Sequence, residues 1–258
     1  MKQYGLLGEH LSHSYSKMIH TFIFEKLGIK ANYQLLECSL EELPCYIQAL
    51  REEKYFGFNV TIPYKKAIMP YLDEIDAKAN QIGSVNTVYL KNGKVIGTNT
   101  DYDGFLETIR KYQIEVSNKK CYILGTGGAS LAVRQVLKDL GGKCIFVSRT
   151  PVEHQISYQD LEDKEIDILV NTTPVGMYPN VSASPVSAKI AKKAGVVIDI
   201  IFNPKATRLL QDAGSTIHGL YMLIMQALKA EEIWQEKPLN VSIEDLIEEI
   251  ELLIEPKI

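Results

Sequence analysis

A glycine-rich segment in the middle of the chain has the composition of a phosphate-binding loop. Its spacing is G-x-G-x-x-S, and it consists of Gly125, Thr126, Gly127, Gly128, Ala129 and Ser130. Glycines in such a loop permit a tight turn and let the backbone approach a pyrophosphate, which binds at the positive N-terminus of the next helix. Because a strand-like apolar run precedes the loop and a helical pattern follows it, the segment predicts a dinucleotide-binding site.

The residues after the next predicted strand indicate which dinucleotide is bound. An NAD site usually carries an acidic residue there, which accepts hydrogen bonds from the ribose hydroxyls. This chain has Ser148, Arg149 and Thr150 at that place. An arginine between two hydroxyls suits a 2′-phosphate, so the sequence favours NADP, with a solvated surface arginine as the alternative interpretation.

Short polar segments in the first half of the chain stand where predicted strands end. They contain Ser14 and Ser16, Asn59 and Thr61 with Lys65, Asn86 and Thr87, and Asn99, Thr100 and Asp101. Together they offer neutral donors and acceptors, one cation and one anion, which suits a small polyhydroxylated acid. Each segment also has an ordinary interpretation, because the serines suit a turn and an N-cap and the lysine suits an exposed helix.

Alternating strands and helices must position these residues. Ser16 is expected to cap a helix that ends at Gly28, and Asn92-Gly93 is a strong hairpin signal. The predicted strands of the first half are residues 3–8, 33–37, 58–61, 85–90 and 94–97.

The pattern changes after Asp101, where strands and helices alternate regularly. The predicted strands are residues 121–124, 143–148, 166–171 and 196–200. Such alternation is typical of a parallel, doubly wound sheet. We therefore predict an α/β protein of two α/β domains, with a boundary near residue 101 and a helical C-terminal tail.

Composition excludes several classes of protein. The 258 residues are 46% hydrophobic and carry a net charge of −4, so no basic footprint suggests nucleic acid. No apolar run approaches 18 residues and the first residues do not form a signal peptide, so we expect no membrane partner. The four cysteines are far apart and the five histidines include no H-E-x-x-H. We therefore expect reduced thiols, a cytoplasmic location and no metal site.

Motifs along almost the whole chain resemble the shikimate dehydrogenase family. No single motif is specific, but their order is that of the family. The matching segments are 8–16, which includes His13, Asn59–Lys65, Gly83–Thr87, Asn99–Asp101, Gly125–Ser130, Ser148–Thr150, Asn171–Met177, Asp199–Pro204 and Gly219–Ala227.

The resemblance implies an NADP-dependent oxidoreductase that reversibly reduces 3-dehydroshikimate to shikimate, a step of aromatic amino acid and chorismate biosynthesis. It implies an N-terminal substrate-binding catalytic domain (1–101 with about 220–258) and a Rossmann-like NADP-binding domain (102–219). The C-terminal helices would pack back on the first domain. The partner is a small molecule, and the chain is a monomer or a homodimer.

The resemblance also implies roles for individual residues. Lys65 would be the acid–base group, with Asp101 as its partner. The residues implied to hold the substrate are Ser14, Ser16, Asn59, Thr61, Asn86, Asp101 and Gln226. The residues implied to line the cofactor site are Gly125, Thr126, Gly127, Gly128, Ala129, Ser148, Arg149, Thr150, Thr172, Ile200, Gly219 and Met222.

Several residues depart from the family's usual pattern. Phe202 stands where a tyrosine hydroxyl commonly reaches the substrate, and Tyr221 replaces a small residue near the nicotinamide. His10 and Lys17 replace prolines, and His218 replaces an asparagine. Because Lys65 and Asp101 are retained, we expect an active enzyme with weaker binding or turnover, or with an altered substrate preference.

Three alternatives fit the same sequence less well. The first is a paralogue that acts on quinate or another cyclic hydroxy acid, which Phe202 and Lys17 leave open. The second is a catalytically poor protein that binds shikimate and NADP, which the retained Lys65 and Asp101 disfavour. The third is a folate-linked dehydrogenase, which would not require the Ser-x-Ser and Asn-Thr-Asp segments.

Overall fold

The structure, a computed structural model, describes residues 1–12, 14–239 and 241–254 of the chain. It divides the chain into two compact units, one formed by Met1–Asp103 with Ile224–Ile258 and the other by Gly104–Leu223. His13 of the first motif, and residues 255–258 of the predicted first domain, lie outside the described residues.

A mixed sheet forms the centre of the first unit. Its strand order is β2-β1-β3-β5-β6-β4. The elements of this part of the chain are β1 Lys2–Gly8, α1 Ser16–Leu27, β2 Ala31–Glu37, α2 Leu43–Arg51, β3 Gly57–Val60, α3 Tyr64–Ala67, β4 Glu74–Ile75, α4 Ala77–Ile82, β5 Thr87–Lys91 and β6 Lys94–Thr98.

The strand directions bring the polar segments of the first unit to one edge of its sheet. β1 and β3 are parallel, whereas β5 is antiparallel to both β3 and β6. Thr87 at the start of β5 pairs with Asn59 in β3 on one side and with Thr98 in β6 on the other. The residues that follow β1, β3 and β6 therefore lie at the same edge as the residues that precede β5.

Two local signals of the first unit behave as predicted. Gly28 ends α1 in the left-handed conformation at φ 64°, which a residue without a Cβ adopts without strain. Asn92 and Gly93 both have positive φ, at 52° and 75°, and form the predicted tight hairpin between β5 and β6.

The predicted cap of α1 was wrong by one residue. Ser16 is the first residue of the helix rather than its cap, and Tyr15 holds the N-cap position. The N–H of Ser16 donates a hydrogen bond of 3.2 Å to Oγ of Ser14. A serine commonly accepts such a bond from two residues further on, so Ser14 forms the turn that starts the helix.

A parallel sheet forms the centre of the second unit. Its strand order is β12-β11-β10-β7-β8-β9, and every pairing is parallel. Its elements are α5 Thr100–Lys111, which begins in the first unit, β7 Lys120–Leu124, α6 Gly128–Asp139, β8 Lys143–Val147, β9 Gln155–Ile156, β10 Ile168–Asn171, α7 Ala188–Lys193, β11 Val196–Asp199, α8 Arg208–Asp212 and β12 Thr216–His218. The order reverses between β7 and β10, which confirms the doubly wound sheet.

The C-terminal helices are α9 (Leu220–Gln235) and α10 (Ile243–Ile254), and from Ile224 onward they belong to the first unit, as expected. Trp234 stacks on Tyr4 at 4.8 Å between ring centroids, and its indole N–H donates a hydrogen bond of 3.4 Å to the carbonyl of Val88. Lys26 of α1 forms an ion pair of 2.6 Å with Glu249 of α10.

None of the described helices has both the length and the apolar composition needed to cross a membrane.

The contact between Trp234 and Gly57 predicts the effect of adding one methyl group. A Cβ at Gly57 would overlap the indole of Trp234, whereas a Cβ at the exposed Gly214 would meet nothing within 4 Å among the described residues. Gly57→Ala should therefore lower the free energy of unfolding by about 1–3 kcal/mol relative to Gly214→Ala. Denaturant unfolding monitored by circular dichroism and by the fluorescence of Trp234, the only tryptophan, measures the difference. Equal midpoints would show that this contact is not tight.

Candidate active site

An ion pair joins Lys65 and Asp101 at the polar edge of the first sheet. Nζ of Lys65 donates to Oδ2 of Asp101, and the two side chains are only 13% and 10% exposed. Lys65 lies in α3, and Asp101 lies in the first turn of α5. A partly buried pair of this kind is less screened than a surface pair, so it orients both groups.

The backbone of α3 is anchored on both sides of Lys65. The hydroxyl of Tyr64 donates a hydrogen bond of 2.6 Å to the carbonyl of Cys38. The N–H of Val85 donates to the carbonyl of Lys65 at 2.8 Å. These bonds hold a helix of only four residues in place, so the ammonium group of Lys65 projects from a supported backbone.

Asn86 holds the other oxygen of Asp101. The backbone N–H of Thr100 donates to Oδ1 of Asn86 at 2.7 Å. Because an N–H can only donate, this bond determines which end of the buried amide faces α5. Nδ2 of Asn86 then donates to Oδ1 of Asp101 at 2.9 Å. Asp101 is thus held by Lys65 through one carboxylate oxygen and by Asn86 through the other.

Asn59 extends this network along the edge of the sheet. Its Nδ2 donates to Oγ1 of Thr87 at 3.1 Å and to the carbonyl of Asn86 at 3.4 Å. Thr87 in turn donates to Oδ1 of Asn86 at 3.0 Å. The structure therefore brings Asn59, Asn86, Asp101 and Lys65 into one hydrogen-bonded network, although they are spread over more than 40 positions of the sequence.

The other residues predicted to contact the substrate lie in separate local settings. Ser14 and Ser16 form the turn before α1, and Ser14 lines an open cavity of about 840 Å³ with Met18 and Phe22. Thr61 follows β3, and its N–H donates to the carbonyl of Leu7 at 2.9 Å. Gln226 is half-buried in α9.

Sequence reasoning missed Tyr33, which lies directly behind Asn59. Tyr33 is fully buried in β2, and its hydroxyl donates to Oδ1 of Asn59 at 2.8 Å. In the sequence it is the first residue of the predicted strand 33–37. The usable signal is that a buried tyrosine normally has a hydrogen-bond partner for its hydroxyl, but the sequence does not say which one.

The glycine loop of the second unit has the geometry of an anion site. Gly125 has φ +97°, and a Cβ there would lie 2.9 Å from Cγ2 of Thr173. Gly127 is the N-cap of α6, and a Cβ there would meet no described atom within 4 Å. Ser130 is buried and donates to the carbonyl of Gly127 at 2.6 Å, which ties the loop to the helix. The first turn of α6 therefore faces open space, which fits a pyrophosphate.

Arg149 lies at the same edge of the second sheet as the glycine loop. It follows β8, which is parallel to β7, and its side chain is exposed. Oγ of Ser148 accepts a hydrogen bond of 3.2 Å from the N–H of Thr150, which bends the chain around Arg149. Arg149 is therefore an exposed cation at the end of the strand next to β7.

The remaining residues predicted for the cofactor site surround the ends of β10 and β11. Thr172 follows β10, and its hydroxyl donates to the carbonyl of Leu124 at 2.6 Å. A Cβ at Gly219 would overlap the carbonyl of Ile200, so only glycine allows this approach. Met222 is buried at the start of α9.

Two of the departures noted in the sequence also lie in the second unit. Tyr221 is buried and packs edge-to-face against Tyr112 at 6.2 Å, so its bulk is accommodated inside the unit. Phe202 is half-buried after β11.

Asp199 is a buried carboxylate at the end of β11. It accepts hydrogen bonds from Nδ2 of Asn171 at 3.0 Å, from the N–H of Ile201 at 3.1 Å and from the hydroxyl of Thr207 at 2.7 Å. Burial nevertheless raises the pKa of Asp199 to about 6, because desolvation outweighs these three bonds. Asp199 thus joins the ends of β10 and β11 beside Thr172 and Ile200.

Among the described residues, no group of three or more His, Cys, Asp or Glu side chains could hold a metal ion.

Known proteins share both the sequence and the fold of this chain. Residues 6–88 match the family described as the shikimate dehydrogenase substrate binding domain. The chain is 41% identical to the shikimate dehydrogenase (NADP+) of Clostridium beijerinckii over 254 residues, which cover 93% of this chain and 94% of that protein.

Solved structures show the same similarity. Shikimate dehydrogenase 1 of Peptoclostridium difficile matches with a TM-score of 0.91 and 40% identity, over 98% of this chain and 99% of that chain. The shikimate 5-dehydrogenase of Thermus thermophilus, solved in complex with NADP(H) and shikimate, matches with a TM-score of 0.87 and 30% identity, over 98% and 100%.

Asp199 predicts a specific pH dependence of stability. Its pKa is higher in the folded chain than in the unfolded chain, so its carboxyl ionises first in the unfolded chain. The free energy of unfolding should therefore fall as the pH rises from about 4 to 6, by up to about 3 kcal/mol. Asp199→Asn keeps an amide that can bond to the same neighbours and removes this loss. The variant should gain stability relative to the wild type between pH 4.5 and pH 7.5 in denaturant unfolding.

Asp73→Asn is the matched control for this measurement. Arg51 lowers the pKa of Asp73 to about 2, so its carboxyl is ionised in both states above pH 4.5. The difference between Asp73→Asn and the wild type should therefore stay constant over the same pH range. A constant difference for Asp199→Asn as well would contradict the raised pKa.

Proposed function

The chain belongs to the shikimate dehydrogenase family, and on that premise we propose that Lys65 and Asp101 handle the proton of its reaction. The chain is an NADP-dependent oxidoreductase that interconverts 3-dehydroshikimate and shikimate in aromatic amino acid biosynthesis. The observation that supports the proposed roles is the partly buried ion pair between Lys65 and Asp101.

The ammonium group of Lys65 is the proton donor to the carbonyl oxygen of 3-dehydroshikimate. When bound, NADPH supplies the hydride to the carbonyl carbon. Transfer of a proton from Nζ neutralises the negative charge that would otherwise develop on the oxygen, and the oxygen becomes a hydroxyl. In the reverse direction Nζ takes this proton back from the hydroxyl of shikimate.

Asp101 and Asn86 keep Lys65 in position during this transfer. Oδ2 of Asp101 accepts from Nζ of Lys65, and Oδ1 accepts from Nδ2 of Asn86. Since both carboxylate oxygens are engaged, the carboxylate cannot rotate freely. One hydrogen of the ammonium group is directed at Asp101, and the remaining hydrogens stay available for the substrate oxygen.

The substrate residues implied by the family fit a small acid with several hydroxyls. Hydroxyl, amide and carboxylate groups alternate along the edge of the first sheet, which provides both donors and acceptors. The residues we assign to the hydroxyls and carboxylate of shikimate are Ser14, Ser16, Asn59, Thr61, Asn86, Asp101 and Gln226. We assign substrate binding to residues 1–101 with about 220–258.

The cofactor residues implied by the family fit a dinucleotide with a 2′-phosphate. The N-terminus of α6 faces open space for the pyrophosphate, and Arg149 supplies an exposed cation at the end of the neighbouring strand. We assign NADP binding to residues 102–219 and Met222, with contacts from Gly125–Ala129, Ser148–Thr150, Thr172, Ile200 and Gly219.

The free thiols support a cytoplasmic location. Cys38, Cys45, Cys121 and Cys144 are all free, as is typical of proteins in reducing compartments. We expect a monomer or a homodimer, which sedimentation of the purified protein distinguishes.

The activity is tested by the absorbance of NADPH. Purified protein is mixed with shikimate and NADP+, with quinate and NAD+ in parallel reactions. Reduction of NADP+ with shikimate is expected to be the fastest of these reactions. Faster reduction with quinate would indicate the paralogue, and binding of both ligands without turnover would indicate the catalytically poor protein.

Replacement of Lys65 tests its role as the acid–base group. Lys65→Ala should lower kcat by a factor of about 10² or more, because proton transfer by a positioned side chain contributes roughly 10²–10⁴. Lys66→Ala is the matched control, since Lys66 is the exposed neighbour in the same helix and should retain normal kcat. Steady-state kinetics with shikimate and NADP+ compare the two. Near-normal turnover by folded Lys65→Ala would refute the proposed role.

Replacement of Arg149 tests the selection of NADP over NAD. Arg149→Ala should raise the KM for NADP+ about tenfold, the equivalent of one charge-assisted hydrogen bond, and leave the KM for NAD+ unchanged. Lys143→Ala removes an exposed cation from the opposite end of the same strand and should change neither constant. An equal effect of Arg149→Ala on both cofactors would mean that the arginine does not contact the 2′-phosphate.

A further inference from the structure

Tyr33 is a buried hydrogen-bond donor that the reaction described above does not use. It is fully buried in β2, and its hydroxyl lies 2.8 Å from Oδ1 of Asn59. Burial and the nearby charge of Glu231 raise the pKa of Tyr33 well above its usual value. The phenol therefore keeps its proton and can donate it to Asn59.

The opposite end of the Asn59 amide shows that Tyr33 must be the donor. Nδ2 of Asn59 lies 3.1 Å from Oγ1 of Thr87 and 3.4 Å from the backbone carbonyl of Asn86. A backbone carbonyl only accepts hydrogen bonds, so the NH₂ end of the amide must face it. Oδ1 consequently faces Tyr33. The reverse orientation would place Oδ1 against the carbonyl oxygen of Asn86, where two acceptors repel each other.

This orientation determines what Asn59 offers to a ligand. The two hydrogens of Nδ2 point to Thr87 and to the carbonyl of Asn86. Oδ1 has two acceptor positions, and within the described part of the chain Tyr33 is its one hydrogen-bond donor. The capacity that remains is therefore an acceptor, which suits a hydroxyl group of a substrate and not a carbonyl oxygen.

The ring of Tyr33 is held by a second buried interaction. The imidazole of His20 stacks on it with 4.2 Å between ring centroids and 5° between planes. Nδ1 of His20 lies 2.6 Å from Oε1 of Glu231, and both side chains are buried. Because α1 and α9 hold the imidazole by this pair, the phenol has little freedom to turn its hydroxyl away from Asn59.

We propose that Tyr33 is a positioning residue for the substrate. Its hydroxyl locks the amide of Asn59 in the orientation that leaves an Oδ1 lone pair for a substrate hydroxyl. The inference rests on the proposed role of Asn59 in binding shikimate. It adds a residue without substrate contact that stabilises the amide of Asn59 in the orientation that the carbonyl of Asn86 requires.

The first test compares two tyrosines of the same aromatic cluster. Tyr33→Phe removes the hydroxyl that donates to Asn59, and Tyr4→Phe removes the hydroxyl of another fully buried tyrosine, which accepts a hydrogen bond of 3.2 Å from Nε2 of Gln235. Tyr33→Phe should raise the KM for shikimate about three- to tenfold, the range of one neutral hydrogen bond. Its kcat and its KM for NADP+ should change less than twofold. Tyr4→Phe should change all three constants less than twofold.

A double-mutant cycle with Asn59→Ala separates positioning from a general structural effect. In the Asn59→Ala background Tyr33→Phe should change the KM for shikimate less than twofold, because the amide on which it acts is gone. An equal factor in both backgrounds would overturn the proposal, as would an unchanged KM in folded Tyr33→Phe. If Asn59→Ala itself left the KM unchanged, the assignment of Asn59 to the substrate would fail and this proposal with it. The activity and the roles of Lys65 and Asp101 would stand.

A rescue variant keeps the test decisive if Tyr33→Phe unfolds. Incorporation of p-aminophenylalanine at position 33 retains the ring and a donor in place of the hydroxyl. This variant should keep the KM for shikimate within twofold of the wild type. A KM raised three- to tenfold in the folded variant would overturn the proposal, because a donor would then be present without its effect. Fluorescence of Trp234, whose ring lies 6.4 Å from that of Tyr33, reports whether each variant is folded.

Discussion

The buried amide of Asn86 is the constraint on which the polar edge of the first sheet depends. One end of this amide is fixed by a backbone N–H, which has no alternative hydrogen-bonding role. The other end must then donate, and it meets the carboxylate of Asp101. An unpaired group at this depth would be costly, so the arrangement is effectively locked. The position of Lys65 follows, because its ammonium group pairs with the oxygen of Asp101 that Asn86 leaves free.

In the second unit, the constraint is the close approach of backbone segments to one another. The doubly wound sheet places the glycine loop, Arg149 and the ends of β10 and β11 at one edge, where the strand order reverses. Gly219 permits contact with the carbonyl of Ile200, and Asp199 bonds the ends of both strands. The second unit therefore builds its site from backbone and helix N-terminus, whereas the first unit uses side-chain amides and carboxylates. Each arrangement suits the ligand that we propose for it, a phosphate in the second unit and a polyhydroxylated acid in the first.

Local sequence signals predicted the elements well wherever backbone conformation itself was the signal. The hairpin at Asn92-Gly93 and the helix end at Gly28 are confirmed, because few residues adopt positive φ at low cost. The cap of α1 was misplaced, since Ser14 and Ser16 have the same side chain and either could start the helix. Which of the two serines starts the helix depends on the direction in which the chain turns after β1. The neighbouring strands determine that direction, and no local pattern in the sequence records it.

The amino-acid sequence was sufficient to predict the alternation of strands and helices, the doubly wound second half and the residue types of both candidate sites. These features depend on periodicity, on glycine and on chemical type, all of which are local properties of the chain. The folded chain was needed to show that Asn59, Asn86, Asp101 and Lys65 form one network and that Tyr33 lies behind Asn59. The reason is physical: strand direction and register bring distant residues together, and which end of a buried amide donates depends on the partners that it meets there.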